Sequence, residues 1–410
     1  MNFGLQHANS PIIGDLQITG SKSESNRLLI IESLFNNLEI SNLSNSDDTQ
    51  VMKKALTSEE TEVDIHHAGT AMRFLTAYFA VNEGRETILT GSQRMQERPI
   101  KLLVDALRSM GAVIEYEKNE GYPPIRIQGK KLTANSVSLQ ANISSQYISA
   151  LMLIGASLPN GLTINLEGEV TSTPYILMTL EMLQRSGIQG SFEGNTITIE
   201  ACSAVESKKI PVESDWSSAS YFYSIAALNE NSSIQLSNYR KESLQGDSCL
   251  ATIYKQLGVE TIYKENSIIL TKTNTDLPDI LMEDLRNAPD IAQTIAVTCL
   301  GLGIGCNLSG LHTLKIKETD RLVALQTEIE KLGGDIEVTE DQLFLKPSKN
   351  IHQNIEIETY NDHRMAMAFA PLALKVPIII KDAMVVSKSY PDFYSDLEKL
   401  NFEVSKGSDI

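Results

Sequence analysis

The chain has 410 residues, 42% of them hydrophobic and 21% charged, the composition of a globular protein of two or three domains. Its 35 Lys and Arg face 52 Asp and Glu, and a formal charge of −17 argues against nucleic acid and anionic membrane surfaces as partners. No apolar run reaches membrane-span length, residues 1–15 lack a signal-peptide core, and the 4 cysteines show no CxxC spacing, so neither a disulfide framework nor a zinc site is indicated and a cytoplasmic setting is expected.

From residue 20 onward one local pattern recurs: hydroxyl, amide and cationic residues run into an apolar helix. Gly20-Ser21-Lys22-Ser23-Glu24-Ser25-Asn26-Arg27 reads as a loop ahead of a helix opened by Leu28-Leu29-Ile30-Ile31. A shortened copy follows at 47–65, helical over 51–56. The pattern returns as Ala68-Gly69-Thr70-Ala71-Met72-Arg73 before Phe74-Leu75. Arg98 precedes Pro99, which is expected to open the next helix. That helix, over 103–110, stops at Gly111, and strands follow at 113–116 and 125–127. Ser144-Ser145-Gln146 and Ser172-Thr173-Pro174-Tyr175 start two more helices, the second ending at Gly187 before a strand at 196–199.

In the second half, a helix over 254–257 stops at Gly258 ahead of a strand at 268–270. Asn287-Ala288-Pro289-Asp290 leads into an apolar helix over 291–300, and Cys299 and Cys306 flank its Gly-rich end as buried thiols. Lys317-Glu318-Thr319-Asp320-Arg321 and Asn361-Asp362-His363-Arg364 are further polar starts. A helix over 329–332 stops at Gly333 before strands at 336–338 and 343–345, and the last, over 396–400, meets Asn401. Gly, and Asn next best, suits a left-handed helix cap. A spacing of roughly 70 residues is too long for a common solenoid and suits a β-α-β-α-β-β unit, six copies in all, three per domain.

A helix start exposes unpaired N–H groups and partial positive charge, so many such starts carrying Lys, Arg and Ser point to a heavily anionic small ligand. Ser23, Arg27, Ser144, Ser145, Gln146, Ser172 and Tyr175 offer the hydroxyls, amide and guanidinium that phosphate and polyol recognition needs. Arg98, Arg321, Arg364 and Lys388, with Lys22 shared, form a second cationic set. Arg73 and Arg94 read as structural. Singly, each Ser is also an ordinary N-cap, Asp290 a helix cap, and Arg321 or Arg364 a surface ion pair. Asp290 at a helix mouth and Glu318 among cations are the acids placed for proton transfer. His66, His67 and His363 lack metal-ligand spacing, and no Walker A loop or GxGxxG is present.

Taken in order from Gly20 to Phe393, GSKSESNR, HAGTAMRF, RMQERP, SSQY, TSTPY, SDWSSASYF, NAPD, KETDRL, YNDHRMAMA and SKSYPDF resemble the EPSP synthase family of enolpyruvyl transferases. The resemblance implies an α/β fold, a two-domain inside-out α/β barrel of three β-α-β-α-β-β units per domain. One domain combines 1–20 with 213–410, the other is 21–212, and the active site lies in the interdomain cleft. It implies transfer of the enolpyruvyl group of phosphoenolpyruvate to the 5-hydroxyl of shikimate 3-phosphate, by addition and elimination of phosphate, without metal or organic cofactor. Shikimate 3-phosphate is then expected at Lys22, Ser23, Arg27, Ser144, Ser145, Gln146, Ser172, Tyr175, Asp290 and Lys317, and phosphoenolpyruvate at Lys22, Gly69, Arg98, Gln146, Arg321, Arg364 and Lys388. The resemblance further implies that Asp290 accepts the 5-hydroxyl proton, while Glu318 and Lys22 handle protons at the enol carbons.

By charge, the seven cations Lys22, Arg27, Arg98, Lys317, Arg321, Arg364 and Lys388 stand against two acids, Asp290 and Glu318, and two substrates of about −5 to −6 together. His67, Phe74 and Thr313 depart from the family's usual Asn, Pro and Asn; they bear on how analogues such as glyphosate are read, and none removes a charged catalytic group. A single-chain site makes a monomer the expectation. The related transferase acting on UDP-N-acetylglucosamine usually carries a cleft cysteine, and no Cys lies before Cys202. A non-catalytic anion-binding homologue is disfavoured by Lys22, Asp290 and Glu318 standing together.

Overall fold

A computed structural model describes residues 1–8, 10–141, 144–168, 170 and 173–407. The chain divides into two compact units, Met1–Thr19 with Glu213–Ile410, and Gly20–Val212. Gly20, placed with residues 1–20 from sequence, joins the second unit instead. It packs so closely on the Asn42 carbonyl oxygen that a Cβ would fall 1.8 Å from it.

Each unit repeats one motif three times. In the clearest copy, strand Glu62–Asp64 runs parallel to Glu86–Thr90, and helix Gly69–Val81 makes the crossover that a parallel pair requires. Helix Lys101–Ser109 follows, then strands Val113–Tyr116 and Ile125–Gln128 add antiparallel to complete a sheet of four. Register sorts the faces: Leu89, paired with Ile125, is buried as are Ile125 and Ile127, while Glu86 and Arg126 lie outward and pair.

The second copy uses Ser136–Gln140, Leu162–Glu167, Thr196–Ile199 and Gly190–Glu193, with helices Ser145–Gly155 and Thr173–Arg185. The third is short: among the described residues Leu38–Ser41 pairs only with Lys208–Pro211, parallel, beside helices Lys22–Phe35 and Asp47–Thr57. Helix Asp47–Thr57 leaves through Ser58 in extended conformation rather than through a left-handed cap, and among the described residues no hairpin joins this sheet.

The other unit carries three complete copies. Ile12–Leu16 lies parallel to Ser232–Ser237, and Ile280–Asp284 to Gly305–Ser309. In the last sheet, Phe3–His7 inserts between Ile378–Ile380 and Phe402–Lys406, antiparallel to both. The chain's first strand thus fills a position interior to its last motif.

The helices Gly69–Val81, Ser145–Gly155, Trp216–Leu228 and Ala292–Leu302 are apolar on nearly every face and almost wholly buried. Sheets surround helices, the inside-out arrangement of the expected fold class. Gly111, Gly187, Gly258, Gly333 and Asn401, expected as helix stops, all take positive φ, between 64° and 100°. The helix starts differ from expectation at three places, one being that the 68–73 string is not a loop ahead of its helix, which begins at Gly69. The 20–27 segment is not a loop: Ser21 is the N-cap, its hydroxyl accepting from the Glu24 N–H at 3.5 Å, and the helix begins at Lys22. Likewise Pro99 stands two residues ahead of helix Lys101–Ser109, whose N-cap is Ile100.

Candidate active site

In the Gly20–Val212 unit, the N-terminal halves of four helices meet, Lys22–Phe35, Gly69–Val81, Ser145–Gly155 and Thr173–Arg185. Arg27, one turn into its helix, is fully buried and reaches three elements. Its Nε donates to Thr179 Oγ1 at 2.7 Å, one terminal nitrogen to the Ser23 carbonyl at 2.8 Å and the other to Ser149 Oγ at 3.1 Å. Burial pushes its guanidinium down to about 10. Among the described residues Arg27 makes no ion pair; Lys22 pairs with Asp48 at 3.2 Å.

Gln146 donates its side-chain amide to Thr70 Oγ1 at 3.2 Å, tying the start of Ser145–Gly155 to that of Gly69–Val81. Ser144 is the N-cap there, accepting from the Gln146 N–H at 3.4 Å, so its cap and candidate binding roles fall on one hydroxyl. The Arg98 guanidinium lies over Gly69, where a Cβ would stand 2.7 Å from its nearer terminal nitrogen. Tyr175 turns its ring to Arg27, with 5.9 Å from guanidinium carbon to ring centroid. Ser172 lies outside the described residues.

Arg73 is buried and braces this half of the site. It donates to the Gly69 carbonyl at 3.1 Å and the Pro99 carbonyl at 3.3 Å, and Tyr147 donates to the same Pro99 oxygen at 2.6 Å. Burial first, then the Arg98 charge, pushes the Arg73 guanidinium down to about 10. Arg94 is exposed and pairs with Glu97 at 3.4 Å. His67 shares a 2.8 Å hydrogen bond with Ser92 Oγ, at the N-cap of the short helix Gln93–Gln96.

The other unit gathers Asp290, Lys317, Glu318, Arg321 and Arg364 into one ionic cluster. Asp290 sits on a 3₁₀ turn, Pro289–Ile291, just ahead of helix Ala292–Leu302. Its carboxylate meets Arg321 at 2.8 Å, Arg364 at 3.3 Å and Lys317 at 3.4 Å. Arg321, buried to 2% exposure, also donates to Glu318 at 2.8 Å and to both oxygens of Asp362, at 2.6 and 3.3 Å. Burial lowers its pKa, but the Asp362, Glu318 and Asp290 carboxylates outweigh burial and hold it above the ordinary arginine value. Arg364 follows the same logic, with Asp290 leading the upward pull. Neither Arg is an exposed surface ion pair.

Lys388 donates to the Asn361 carbonyl at 2.6 Å, in a turn where Tyr360 and Asn361 both have positive φ. Asp362, next in sequence, caps helix His363–Phe369 by accepting from the Arg364 N–H at 2.9 Å. Arg364 also donates to Ser217 Oγ at 3.2 Å, and Ser217 in turn donates to Asp247. Burial, then the Asp290 charge, pushes the Asp247 carboxyl up to about 6. The count of seven cations against two acids is therefore incomplete: Asp48, Asp247 and Asp362 also face these cations. None belongs to a polar helix start that sequence singled out for chemistry, except Asp362, read there only as part of the Asn361–Arg364 string.

Fold comparison defines the class. An EPSP synthase from Acinetobacter baumannii superposes with TM-score 0.81 at 22% identity, covering 99% of this chain and 100% of that one. The enolpyruvyl transferase NikO from Streptomyces tendae superposes with TM-score 0.72 at 14% identity, covering 98% of each. The architecture is that of the enolpyruvyl transferases. Sequence narrows it further: the family model for EPSP synthase (3-phosphoshikimate 1-carboxyvinyltransferase) matches residues 53–397. A 3-phosphoshikimate 1-carboxyvinyltransferase of Bacteroides fragilis is 47% identical over 409 residues, 99% of both chains. One of Colwellia psychrerythraea is 36% identical over 422 aligned residues, 95% of this chain and 97% of that one. The chain belongs to the EPSP synthase family.

Proposed function

We propose that the chain is a 3-phosphoshikimate 1-carboxyvinyltransferase whose two cationic clusters hold one pair of substrates. Phosphoenolpyruvate and shikimate 3-phosphate react: the 5-hydroxyl oxygen bonds to the enol carbon C2, C3 gains a proton, and a tetrahedral intermediate forms. C3 then loses a proton, the C2–O bond to phosphate breaks, and enolpyruvylshikimate 3-phosphate and inorganic phosphate leave.

Lys22, Ser23, Arg27, Ser144, Ser145, Gln146, Ser172 and Tyr175 take shikimate 3-phosphate from one unit, and Asp290 and Lys317 from the other. Lys22, Gly69, Arg98, Gln146, Arg321, Arg364 and Lys388 take phosphoenolpyruvate. Asp290 receives the 5-hydroxyl proton; Glu318 and Lys22 deliver and remove the proton at C3.

The observation that carries the reading is the Asp290 carboxylate within 3.4 Å of three cations. An anionic substrate that draws Lys317, Arg321 and Arg364 toward itself leaves Asp290 less neutralised, and so readier to accept a proton. Substrate binding then prepares its own base.

Asp290→Asn tests this. It should bind both substrates by calorimetry while phosphate release falls by at least about a thousandfold, within the range of lost general-base catalysis. A rate within tenfold of the parent removes Asp290 from the mechanism. Running the release assay with UDP-N-acetylglucosamine as acceptor gives the specificity control, with no turnover expected. Among the described residues no helix is long and apolar enough to cross a membrane; the cytoplasm and a monomeric state fit the free cysteines and a site supplied by one chain.

A further inference from the structure

Arg27 holds an unusual position for a cation. It is almost wholly buried; among the described residues its hydrogen bonds go to two hydroxyls and one carbonyl, and it forms no ion pair with a carboxylate. A guanidinium in that setting needs other support. The charge of Glu24, buried three residues earlier on the same helix, supplies part of it, and two aromatic rings supply the rest: its central carbon stands 5.3 Å from the centroid of Phe74 and 5.9 Å from that of Tyr175.

Phe74 is itself fully buried on helix Gly69–Val81, whose first residues carry Gly69 and Thr70. Ser149 and Thr179, which hold two of the Arg27 nitrogens, share a 2.8 Å hydrogen bond, so the guanidinium's edge is fixed on the hydroxyl side. The rings then fix its tilt. An edge and a tilt together define the plane in which a planar guanidinium meets a planar carboxylate, and bidentate contact depends on that plane.

We propose that Phe74 is a positioning residue for shikimate 3-phosphate, acting through its ring face on Arg27. The inference rests on the assignment of Arg27 to that substrate. It is specific to the residue at this position: a proline, usual there in the resembled family, has no π face to offer. Affinity for shikimate 3-phosphate should therefore follow the electron density of the ring at position 74, not only its bulk.

The test replaces Phe74 in the full chain by its 4-fluoro, 3,5-difluoro and 3,4,5-trifluoro analogues, which drain the ring face while nearly preserving its shape. Phe74→Leu adds an aliphatic control. KM for shikimate 3-phosphate should climb stepwise with fluorination, reaching about tenfold in the trifluoro protein, about 1.4 kcal/mol. KM for phosphoenolpyruvate, kcat and thermal midpoint should hold within twofold or about 2 °C. A flat series overturns the proposal, as does a parallel rise in both KM values or a falling midpoint, which mark a packing role alone. Arg27→Ala separates the two layers. If it raises KM for shikimate 3-phosphate while the fluorinated series stays flat, only the ring's role fails; if it leaves that KM unmoved, the Arg27 assignment fails and the positioning role with it.

Discussion

At the scale of single residues, small geometric facts decide chemistry. Gly69 is one. A methyl there would sit 2.7 Å from a terminal nitrogen of Arg98, the far end of a flexible side chain, so the fold can yield but the guanidinium must move. Gly69→Ala should leave stability within about 0.5 kcal/mol and raise KM for phosphoenolpyruvate about tenfold, the worth of one charged hydrogen bond. Steady-state kinetics beside a denaturation curve checks it; an unchanged KM detaches Arg98 from that substrate. Asp247 is another, since its carboxyl is pushed from the ordinary 3.8 to about 6. A raised carboxyl binds more protons folded than unfolded between those values. Its contribution to stability is therefore present below about pH 4 and lost as pH climbs through about 6, by about 2–3 kcal/mol. Asp247→Asn should remove that dependence, so the variant gains on the parent between pH 4 and 7 in urea denaturation; parallel curves contradict it.

The charged residues of Lys22, Arg27, Asp290, Glu318 and Arg321 were legible because each sits in a local polar string before an apolar helix. Their counter-charges were not. Asp362 meets Arg321 across 41 residues and Asp247 reaches Arg364 through the Ser217 hydroxyl and by its charge, and nothing local in sequence records such pairs.

At the scale of elements, helix ends carry most of the information. The stops were readable because left-handed backbone strongly favours Gly or Asn, and positions 111, 187, 258, 333 and 401 declare themselves. The starts were harder, because a Ser or Asp cap looks like any loop polar residue until its N–H partner is known, which is why the turn at Lys22–Arg27 read as loop. Asp362 shows one side chain doing two jobs. It caps helix His363–Phe369 and neutralises buried Arg321. Asp362→Ala should cost about 3 kcal/mol or more, since it strips a partner from a buried cation. Asp362→Asn keeps an acceptor for the cap and should recover about 1 kcal/mol of that loss. Urea denaturation of both variants checks the ordering; equal losses would assign the whole effect to charge.

At the scale of the molecule, the chain's ends matter more than their length suggests. Phe3–His7 is hydrogen-bonded on both sides, to Ile378–Ile380 and to Phe402–Lys406, and buries Phe3 and Leu5. Such long-range closure leaves no local trace, since the strand pairs with residues at the far end of the chain. Deleting residues 1–8 should destabilise the first unit by about 4–5 kcal/mol or more, read as a lower thermal midpoint by circular dichroism, while an unchanged midpoint would show that the sheet closes without it.

The account's central claim is that basic side chains from both units act on one pair of anionic metabolites. A crystal structure of the full chain grown with shikimate 3-phosphate tests it most directly. The ligand should contact Arg27 and Ser144 from one unit and Asp290 and Lys317 from the other. A ligand held by residues of one unit alone, with Asp290 still locked to Lys317, Arg321 and Arg364, would contradict it.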